Sequence, residues 1–276
     1  MKNCRHHSRA CLAALALILV LGAPAAALAY ANAGQTLDAS DGMGLNLARE
    51  QDAYSYLCST IGDSLTDSNQ LQGIFYSRLN DPGFVYRSIP GGTQVVRHGM
   101  PGGTTGSILP VVRSEDWGAG EGANFVMIMA GTNDLDYNQG DKIEDLAAAM
   151  VSNIQAMVDD VLGGNHDPAV RPSVIVSGVP AFLDPTLTAR AKYYNNLLRT
   201  SLKRVDVFTD AAWWDLYDSS TGAASRDLME DLKHPNGDGF YRIAEDWFEG
   251  VDAMYNPKRF SAENHLYKGD WYRQLY

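Results

Sequence analysis

Ser64 is the one serine of the chain with a glycine two positions before it, in the segment Gly-Asp-Ser-Leu at residues 62–65. A strand-to-helix turn at this point would expose the serine hydroxyl at a helix N-terminus, where backbone N–H groups favour a developing anion. Far along the chain, Asp231 lies three residues before His234. That spacing lets a carboxylate bind one ring nitrogen while the other nitrogen takes a proton from a serine. The chemistry that these three residue types can perform together is acyl transfer.

Two other segments carry hydrogen-bond donors that could stabilise the oxyanion of such a reaction. Asn133 follows an apolar run in the segment Gly-Thr-Asn-Asp, residues 131–134, and its side-chain amide is a donor. Gly102 lies in a glycine-rich loop and could offer a backbone N–H that no side chain obstructs. Considered one at a time, the candidate residues also fit ordinary helix caps, turns and surface loops.

The elements that must position these groups alternate between apolar runs and amphipathic stretches. Strands are predicted at residues 57–62, 93–98, 124–130, 172–178 and 205–208. Helices are predicted at residues 68–79, 142–162, 187–202 and 238–252. This alternation indicates an α/β fold with a mainly parallel, five-stranded sheet. Ligands of such a sheet bind at the carboxyl ends of its strands, where Ser64, the glycine loop and Asn133 all fall.

The N-terminus has the composition of an export signal. Three basic residues and no acidic ones precede position 30, and residues 11–21 form an apolar run of eleven. That run fits a signal peptide and is too short to span a bilayer. Small residues at Ala27 and Ala29 predict a signal peptide over residues 1–29 with cleavage after Ala29. Cleavage after Ala33 is the second choice, and an uncleaved anchor is the alternative.

The rest of the chain divides into three parts. A polar lead-in covers residues 30–52, one α/β domain covers residues 53–252, and an aromatic tail at residues 253–276 is expected to pack on that domain. Only Cys58 remains after cleavage, so the exported chain is predicted to have no internal disulfide. The protein is expected outside the cell, either free or associated with the cell wall.

The formal net charge of −11 argues against nucleic-acid binding, which needs clustered lysines and arginines. No membrane span is expected once the signal is removed, and the oligomeric state is not readable from the sequence. The segment with Asp134, Asp136 and Asn138 is similar to the start of a calcium-binding loop. However, Gln139 stands where such a loop needs glycine. We therefore predict no metal and no cofactor.

Four segments occur in order along the chain: Gly-Asp-Ser-Leu at 62–65, a Gly-x-x-Gly loop at 99–102, Gly-Thr-Asn-Asp at 131–134 and Asp-x-x-His-Pro-Asn at 231–236. Together they resemble the SGNH (GDSL-type) hydrolase family of esterases and lipases. The resemblance covers roughly residues 56–252. It implies a flavodoxin-like, three-layer α/β/α sandwich, in agreement with the element pattern.

The resemblance also implies a role for each matching residue. Ser64 would be the nucleophile, His234 the general base and then the acid, and Asp231 the residue that orients His234. The oxyanion would be held by the backbone N–H groups of Ser64 and Gly102 and by the Asn133 side-chain amide. Gly103, which follows Gly102, stands where the family has an acid, and this departure leaves Gly103 or Gly99 as alternatives for the backbone donor.

These inferences predict a secreted serine ester hydrolase that acts through an acyl-enzyme on carboxylic esters. Short acyl groups, such as acetyl, on a small molecule, a carbohydrate or a cell-wall glycan are the expected substrates, while the natural substrate and its acyl chain length stay open. Two alternatives use the same fold. One is an acyltransferase that passes the acyl group to a sugar hydroxyl, and the other is a non-catalytic carbohydrate-binding module.

Overall fold

A computed structural model describes residues 56–87, 92–114, 122–163 and 171–272 of the chain. The predicted signal peptide and the polar lead-in lie outside these described residues. The strands are β1 (Tyr56–Gly62), β2 (Thr93–Gly99), β3 (Phe125–Met129), β4 (Ser173–Ser177), β5 (Val207–Thr209), β6 (Tyr217–Asp218), β7 (Ala223–Ala224) and β8 (Leu266–Lys268). A small separate ribbon pairs β6 with β7, and the other six strands form the main sheet.

The main sheet has the order β2-β1-β3-β4-β5-β8, in which the first five strands are parallel and β8 runs antiparallel to β5. The five parallel strands are the five predicted ones, in the order of a flavodoxin-like fold. The sixth strand corrects the expected five-stranded sheet. It comes from the aromatic tail, and its three residues are too few to show an apolar pattern.

Helices cover both faces of the main sheet. They are α1 (Asn69–Leu79), α2 (Pro82–Arg87), α3 (Thr105–Arg113), α4 (Thr132–Tyr137), α5 (Ile143–Gly163), α6 (Pro185–Ser201), α7 (Ala211–Leu216) and α8 (Gly237–Tyr255). One layer contains α1, α2, α7 and α8, and the other contains α3 to α6. Every residue of β3 and β4 is buried, as expected for parallel strands covered on both faces. No helix within the described ranges is long and apolar enough to cross a membrane.

The sequence pattern predicts the four longest helices and misses the four short ones. Helices α1, α5, α6 and α8 agree with the prediction to within three residues at each end. Helices α2, α4 and α7 have six residues each, which is too short to display a helical period. Helix α3 contains Pro110, a residue that ordinarily ends a helix in a sequence-based prediction.

The tail segment after α8 is attached to the domain through Arg171. This guanidinium binds both carboxylate oxygens of the buried Asp206, each at 2.9 Å. The ring of Trp271 covers Arg171 with 4.2 Å between the guanidinium carbon and the ring centroid. Arg171 also donates to the Trp271 carbonyl oxygen at 3.1 Å. The tail is thus bonded to the domain beside the edge strand that it contributes.

Candidate active site

Ser64 lies in the turn that follows β1, at the carboxyl edge of the sheet. The turn closes with a 3.0 Å hydrogen bond from the Asp67 N–H to the Asp63 carbonyl oxygen. Helix α1 begins only at Asn69, so Ser64 lies about one turn before the helix and not at its N-terminus. The residue that caps α1 is Ser68. The simpler interpretation of Ser64 as a helix cap therefore does not apply.

Two contacts hold this turn against its surroundings. A side chain at Gly62 would overlap the Met129 carbonyl oxygen, so only glycine lets the ends of β1 and β3 approach so closely. Gln72, buried in α1, donates from its side-chain amide to the Thr66 carbonyl oxygen at 2.6 Å. The neighbouring strand and the following helix therefore both fix the backbone of the turn.

Asp63, the residue before the serine, turns its side chain into the protein. Its Oδ1 accepts the Leu65 N–H at 3.0 Å. Burial raises the pKa of Asp63 to about 6, although the hydrogen bond from Leu65 opposes the shift and the nearby Asp134 adds to it. The carboxyl group that precedes Ser64 in the chain therefore loses its proton at about pH 6, above the ordinary range of an aspartate.

His234 links Ser64 to Asp231 through both nitrogens of its ring. Its Nε2 lies 3.1 Å from the Ser64 Oγ, and its Nδ1 lies 2.8 Å from the Asp231 Oδ2. A carboxylate can only accept a hydrogen bond, so Nδ1 carries the proton and Nε2 is free to accept one from the serine. The structure thus brings the three predicted residues into one hydrogen-bonded line, although 170 positions separate Ser64 from His234.

The Asp231 carboxylate is held by its own loop. Its Oδ1 accepts the backbone N–H of His234 at 2.8 Å and that of Lys233 at 2.9 Å. Partial burial works to raise the pKa of Asp231, but these bonds and the adjacent His234 ring outweigh it and lower the pKa to about 2. Asp231 is therefore charged at neutral pH and can balance an imidazolium ion at His234.

Asn133 is placed by the start of α4, directly after β3. Gly131 adopts a φ of +129°, and a Cβ there would lie 2.7 Å from the Met150 Cε and 2.8 Å from the Tyr194 Cε1. Tyr194 also donates its hydroxyl to the Ala130 carbonyl oxygen at 2.9 Å. Met150 in α5 and Tyr194 in α6 therefore fix the backbone of the segment between β3 and α4, and this segment carries Asn133.

The Asn133 side chain is buried and hydrogen-bonded at both of its polar atoms. Its Nδ2 donates to the Gly103 carbonyl oxygen at 3.0 Å, and its Oδ1 accepts from the Lys233 Nζ at 2.9 Å. An amide nitrogen carries two hydrogens, so the bond to Gly103 leaves one for another acceptor. The same bond joins the connection after β3 to the glycine loop after β2.

The geometry of the glycine loop distinguishes the three candidates for a backbone donor. The Gly103 N–H is used in a turn, where it donates to the Met100 carbonyl oxygen at 2.8 Å. A side chain at Gly99 would overlap the backbone of Asp67, so close packing accounts for that glycine. Gly102 has a φ of +74°, and its N–H donates to no group in the described part of the chain. The Gly102 N–H is therefore available as a donor and the Gly103 N–H is not, while Gly99 is required by packing.

The two acidic residues of the calcium-loop pattern bind protein groups. Asp134 accepts hydrogen bonds from Thr105, and the Asp136 Oδ2 accepts one from the Lys233 Nζ at 2.8 Å. Within residues 56–87, 92–114, 122–163 and 171–272, no group of three or more histidine, cysteine, aspartate and glutamate side chains is arranged to hold a metal ion.

Sequence reasoning missed two residues that contact these groups, Gln72 and Lys233. A glutamine in an amphipathic helix and a lysine in a polar loop both fit a solvated surface. Residue type alone therefore does not indicate a role for either one. The only available sign is the position of Lys233 between Asp231 and His234 in the motif.

The class of the protein follows from the fold and these distances together. A three-layer α/β sandwich with serine, histidine and aspartate in one hydrogen-bonded line at its carboxyl edge defines an α/β acyl hydrolase. Residues 60–242 match the model of the GDSL-like Lipase/Acylhydrolase family, and the chain belongs to that family. It is a carboxylic ester hydrolase.

Several solved structures with the same fold are esterases or lipases. The lipase Lip_vut3 from a goat rumen metagenome is 14% identical, with a TM-score of 0.53 over 69% of this chain and 95% of that one. A catalytic mutant of Axe2, an acetylxylan esterase from Geobacillus stearothermophilus, is 16% identical, with a TM-score of 0.52 over 80% and 98%. Est24, a carbohydrate acetylesterase from Sinorhizobium meliloti, is 18% identical, with a TM-score of 0.50 over 73% and 100%. No curated protein matches the sequence.

Proposed function

We propose that this protein is a secreted serine esterase that removes short acyl groups, such as acetyl, from carbohydrate or cell-wall glycan. The observation that carries the proposed mechanism is the line from the Ser64 Oγ through His234 to Asp231, with distances of 3.1 and 2.8 Å. A serine hydroxyl is a weak nucleophile until an adjacent base takes its proton. His234 is the base within reach.

In this mechanism the Ser64 Oγ attacks the ester carbonyl carbon while its proton passes to the His234 Nε2. The tetrahedral intermediate then breaks its bond to the leaving alcohol, which takes that proton and departs. Water next gives a proton to His234 and attacks the acyl-enzyme, and the collapse of the second intermediate releases the acid and returns the proton to Ser64. Asp231 orients the imidazole and balances its charge in both halves.

The oxyanion of each intermediate would be bound by three donors. These are the backbone N–H groups of Ser64 and Gly102 and the second amide hydrogen of Asn133. The proposal is supported by the unused Gly102 N–H and by the fixed amide of Asn133. Donors that are already in position cost no reorganisation in the transition state, and the loss of one typically lowers the rate ~10²–10³-fold.

The site is exposed, and this supports a substrate whose alcohol portion is bulky. The side chains of His234 and Asp231 are 32% and 56% exposed, so the line of hydrogen bonds lies at the protein surface. Tyr137 is 59% exposed and lies beside Gly102, where a Cβ would be 3.7 Å from the tyrosine hydroxyl oxygen. An open site bordered by an amphipathic ring suits a sugar unit of a polymer.

Two further considerations support the proposed substrate class. Axe2 and Est24, which share the fold, act by their names on acetylated carbohydrates. The predicted signal peptide at residues 1–29 would deliver this protein to the compartment that holds extracellular and cell-wall glycans. Sequencing the N-terminus of protein recovered from the medium of an expressing culture tests the export, and a chain that starts at Tyr30 is expected.

The mechanism is tested by the hydrolysis of p-nitrophenyl acetate, butyrate and palmitate. Wild-type protein is expected to favour the acetate, and Ser64→Ala and His234→Ala are expected to reduce turnover to the background of free buffer. Ser77→Ala, an exposed serine whose hydroxyl binds only its own helix, is the matched control and is expected to keep full activity. Equal slow turnover by wild type and Ser64→Ala would overturn the proposed mechanism.

The substrate class is tested separately with acetylated xylan and acetylated cell-wall glycan. Release of free acetate is expected, and its absence with active protein would remove carbohydrate esters from the proposal. Addition of an unacetylated sugar then distinguishes hydrolysis from transfer, since a transferase uses the same residues but produces an acetylated sugar in place of acetate.

A further inference from the structure

Lys233 reaches from the loop of Asp231 and His234 to helix α4. Its Nζ donates to the Asn133 Oδ1 at 2.9 Å and to the Asp136 Oδ2 at 2.8 Å. It also lies 5.0 Å from the centroid of the Tyr137 ring, at a distance typical of a cation–π contact. The Lys233 side chain is only 17% exposed. One lysine therefore joins the loop of the proposed base to the proposed oxyanion donor.

These bonds leave one orientation for the Asn133 amide. An ammonium group can only donate a hydrogen bond, and a carbonyl oxygen can only accept one. The Asn133 oxygen must therefore face Lys233, and its nitrogen must face the Gly103 carbonyl oxygen, as observed. If the amide rotated by half a turn, both bonds would be replaced by repulsive contacts. Without Lys233, only the single bond to Gly103 would define the orientation.

The charge of Lys233 also acts on the donor strength of the amide. A cation bound at the amide oxygen draws electron density from the nitrogen and makes its hydrogens more acidic, as hydrogen bonds in series strengthen one another. The contacts of the ammonium are with Asn133, Asp136 and the Tyr137 ring, all of which belong to the protein. Because it binds the Asn133 oxygen directly, Lys233 can act on the oxyanion site through Asn133.

We propose that Lys233 is a positioning residue for the oxyanion site, which orients the Asn133 amide and strengthens its free N–H as a donor. This inference rests on the proposed function, because it assigns Lys233 a role in the same reaction. An oxyanion exists only in the intermediates and the transition states that flank them. The loss of Lys233 is therefore expected to lower kcat and to leave KM nearly unchanged.

The test compares Lys233→Met, Lys233→Gln and Lys233→Arg with wild type on p-nitrophenyl acetate. Methionine keeps the unbranched stem and removes the charge, and its kcat is expected to fall about 10- to 100-fold, a part of the loss of a whole donor. Arginine keeps the charge and is expected to recover much of the loss. If the methionine protein does not fold, the glutamine protein, which is also uncharged, provides the same comparison.

Lys192→Met is the matched control and is expected to keep full activity. The Lys192 ammonium also lies over aromatic rings, those of Trp213 and Trp214.

A double-mutant cycle separates a role through Asn133 from general loosening of the site. In an Asn133→Ala background, Lys233→Met is expected to cause no further fall in kcat. The inference is overturned if Lys233→Met matches wild type, or if it lowers kcat by the same factor with and without Asn133. Either result would leave the proposed function intact, provided that wild type stays faster than Ser64→Ala. A wild type no faster than Ser64→Ala would overturn the proposed function and this inference together.

Discussion

Both carboxylate oxygens of Asp134 bind Thr105, one through the backbone N–H and one through the hydroxyl, each at 2.8 Å. Thr105 is the first residue of α3, directly after the glycine loop, and Asp134 follows Asn133 in α4. Burial raises the pKa of Asp134, and the two bonds from Thr105 oppose that shift. The pair therefore fixes the separation of the two segments that we propose to hold the oxyanion.

Thr105→Val tests this connection. Valine keeps the shape of threonine but removes the hydroxyl, which donates to Asp134 and accepts from the Asn153 Nδ2 at 3.1 Å, so a buried carboxylate oxygen and an amide nitrogen both lose a partner. The free energy of unfolding is expected to fall by about 1–3 kcal/mol, as measured by urea denaturation. Activity is expected to fall as well, because Gly102 would no longer be fixed relative to Asn133. The control is Thr186→Val, the same change at an exposed position, and an equal loss of stability there would contradict the prediction.

Gly131→Ala tests the connection between β3 and α4. Its φ of +129° disfavours any side chain, and the new methyl group would press on Met150 and Tyr194. Strain and overpacking are each expected to lower the free energy of unfolding by about 1–3 kcal/mol. Because the change also shifts Asn133, kcat for ester hydrolysis is expected to fall. Gly140→Ala has open space around it, and a comparable loss of stability and activity in that variant would argue against this explanation.

Asp231→Asn tests the charge at the end of the hydrogen-bonded line. Asparagine keeps the size of the side chain but cannot balance an imidazolium ion, so kcat is expected to fall ~10⁴-fold. Because the pKa of Asp231 is about 2, its own titration is not expected in the pH–rate profile of the wild type near neutrality. Asp227→Asn, an exposed change in the same segment, serves as the control. Full activity of Asp231→Asn would exclude this role for Asp231.

Asp63→Asn tests the raised pKa beside the serine. The pKa of Asp63 is about 6 in the folded protein and has the ordinary value of 3.8 in the unfolded chain. Between these two pH values, the folded protein keeps a proton that the unfolded chain has lost. This group therefore makes the free energy of unfolding fall as pH rises between these two values. Above the folded pKa its contribution no longer changes.

Asparagine at position 63 has no proton to lose in this range and can still accept the Leu65 N–H. Relative to wild type, its free energy of unfolding is expected to rise by on the order of 3 kcal/mol between about pH 4 and about pH 7. Asp81→Asn is the matched control, because Asp81 also accepts the N–H two residues ahead but is exposed. A stability difference between Asp63→Asn and wild type that is independent of pH would show that burial does not raise this pKa.

The main sheet and the order of the site segments could be predicted because they depend on local patterns. Apolar runs such as β3 and β4 indicate buried strands, and the order of strands and helices indicates a parallel sheet. The elements that could not be predicted depend on contacts between segments that are far apart in the chain. The strand β8 is defined by its pairing with β5, and the short helix α4 is defined by the packing around Gly131.

The same distinction applies within the site. Residue type and spacing make Ser64, Asp231 and His234 candidates, and the resemblance of the four ordered segments to a known family implies their roles. The choice of Gly102 over Gly103 depends on a turn bond to Met100, and the place of Lys233 depends on a contact with Asn133, 100 residues away. Nothing in the local sequence records either contact.

The antiparallel strand β8 also has a consequence for the behaviour of the protein at high concentration. It occupies the outer side of β5 and satisfies backbone groups that would otherwise form an open edge of the main sheet. An open edge can pair with a strand of another molecule and start aggregation. β8 is then the outermost strand of the sheet, and its length of three residues and the exposed Lys268 both disfavour such pairing. Weakening the contact of Arg171 with Trp271 is therefore expected to uncover β5 and to favour aggregation, which light scattering at high protein concentration would detect.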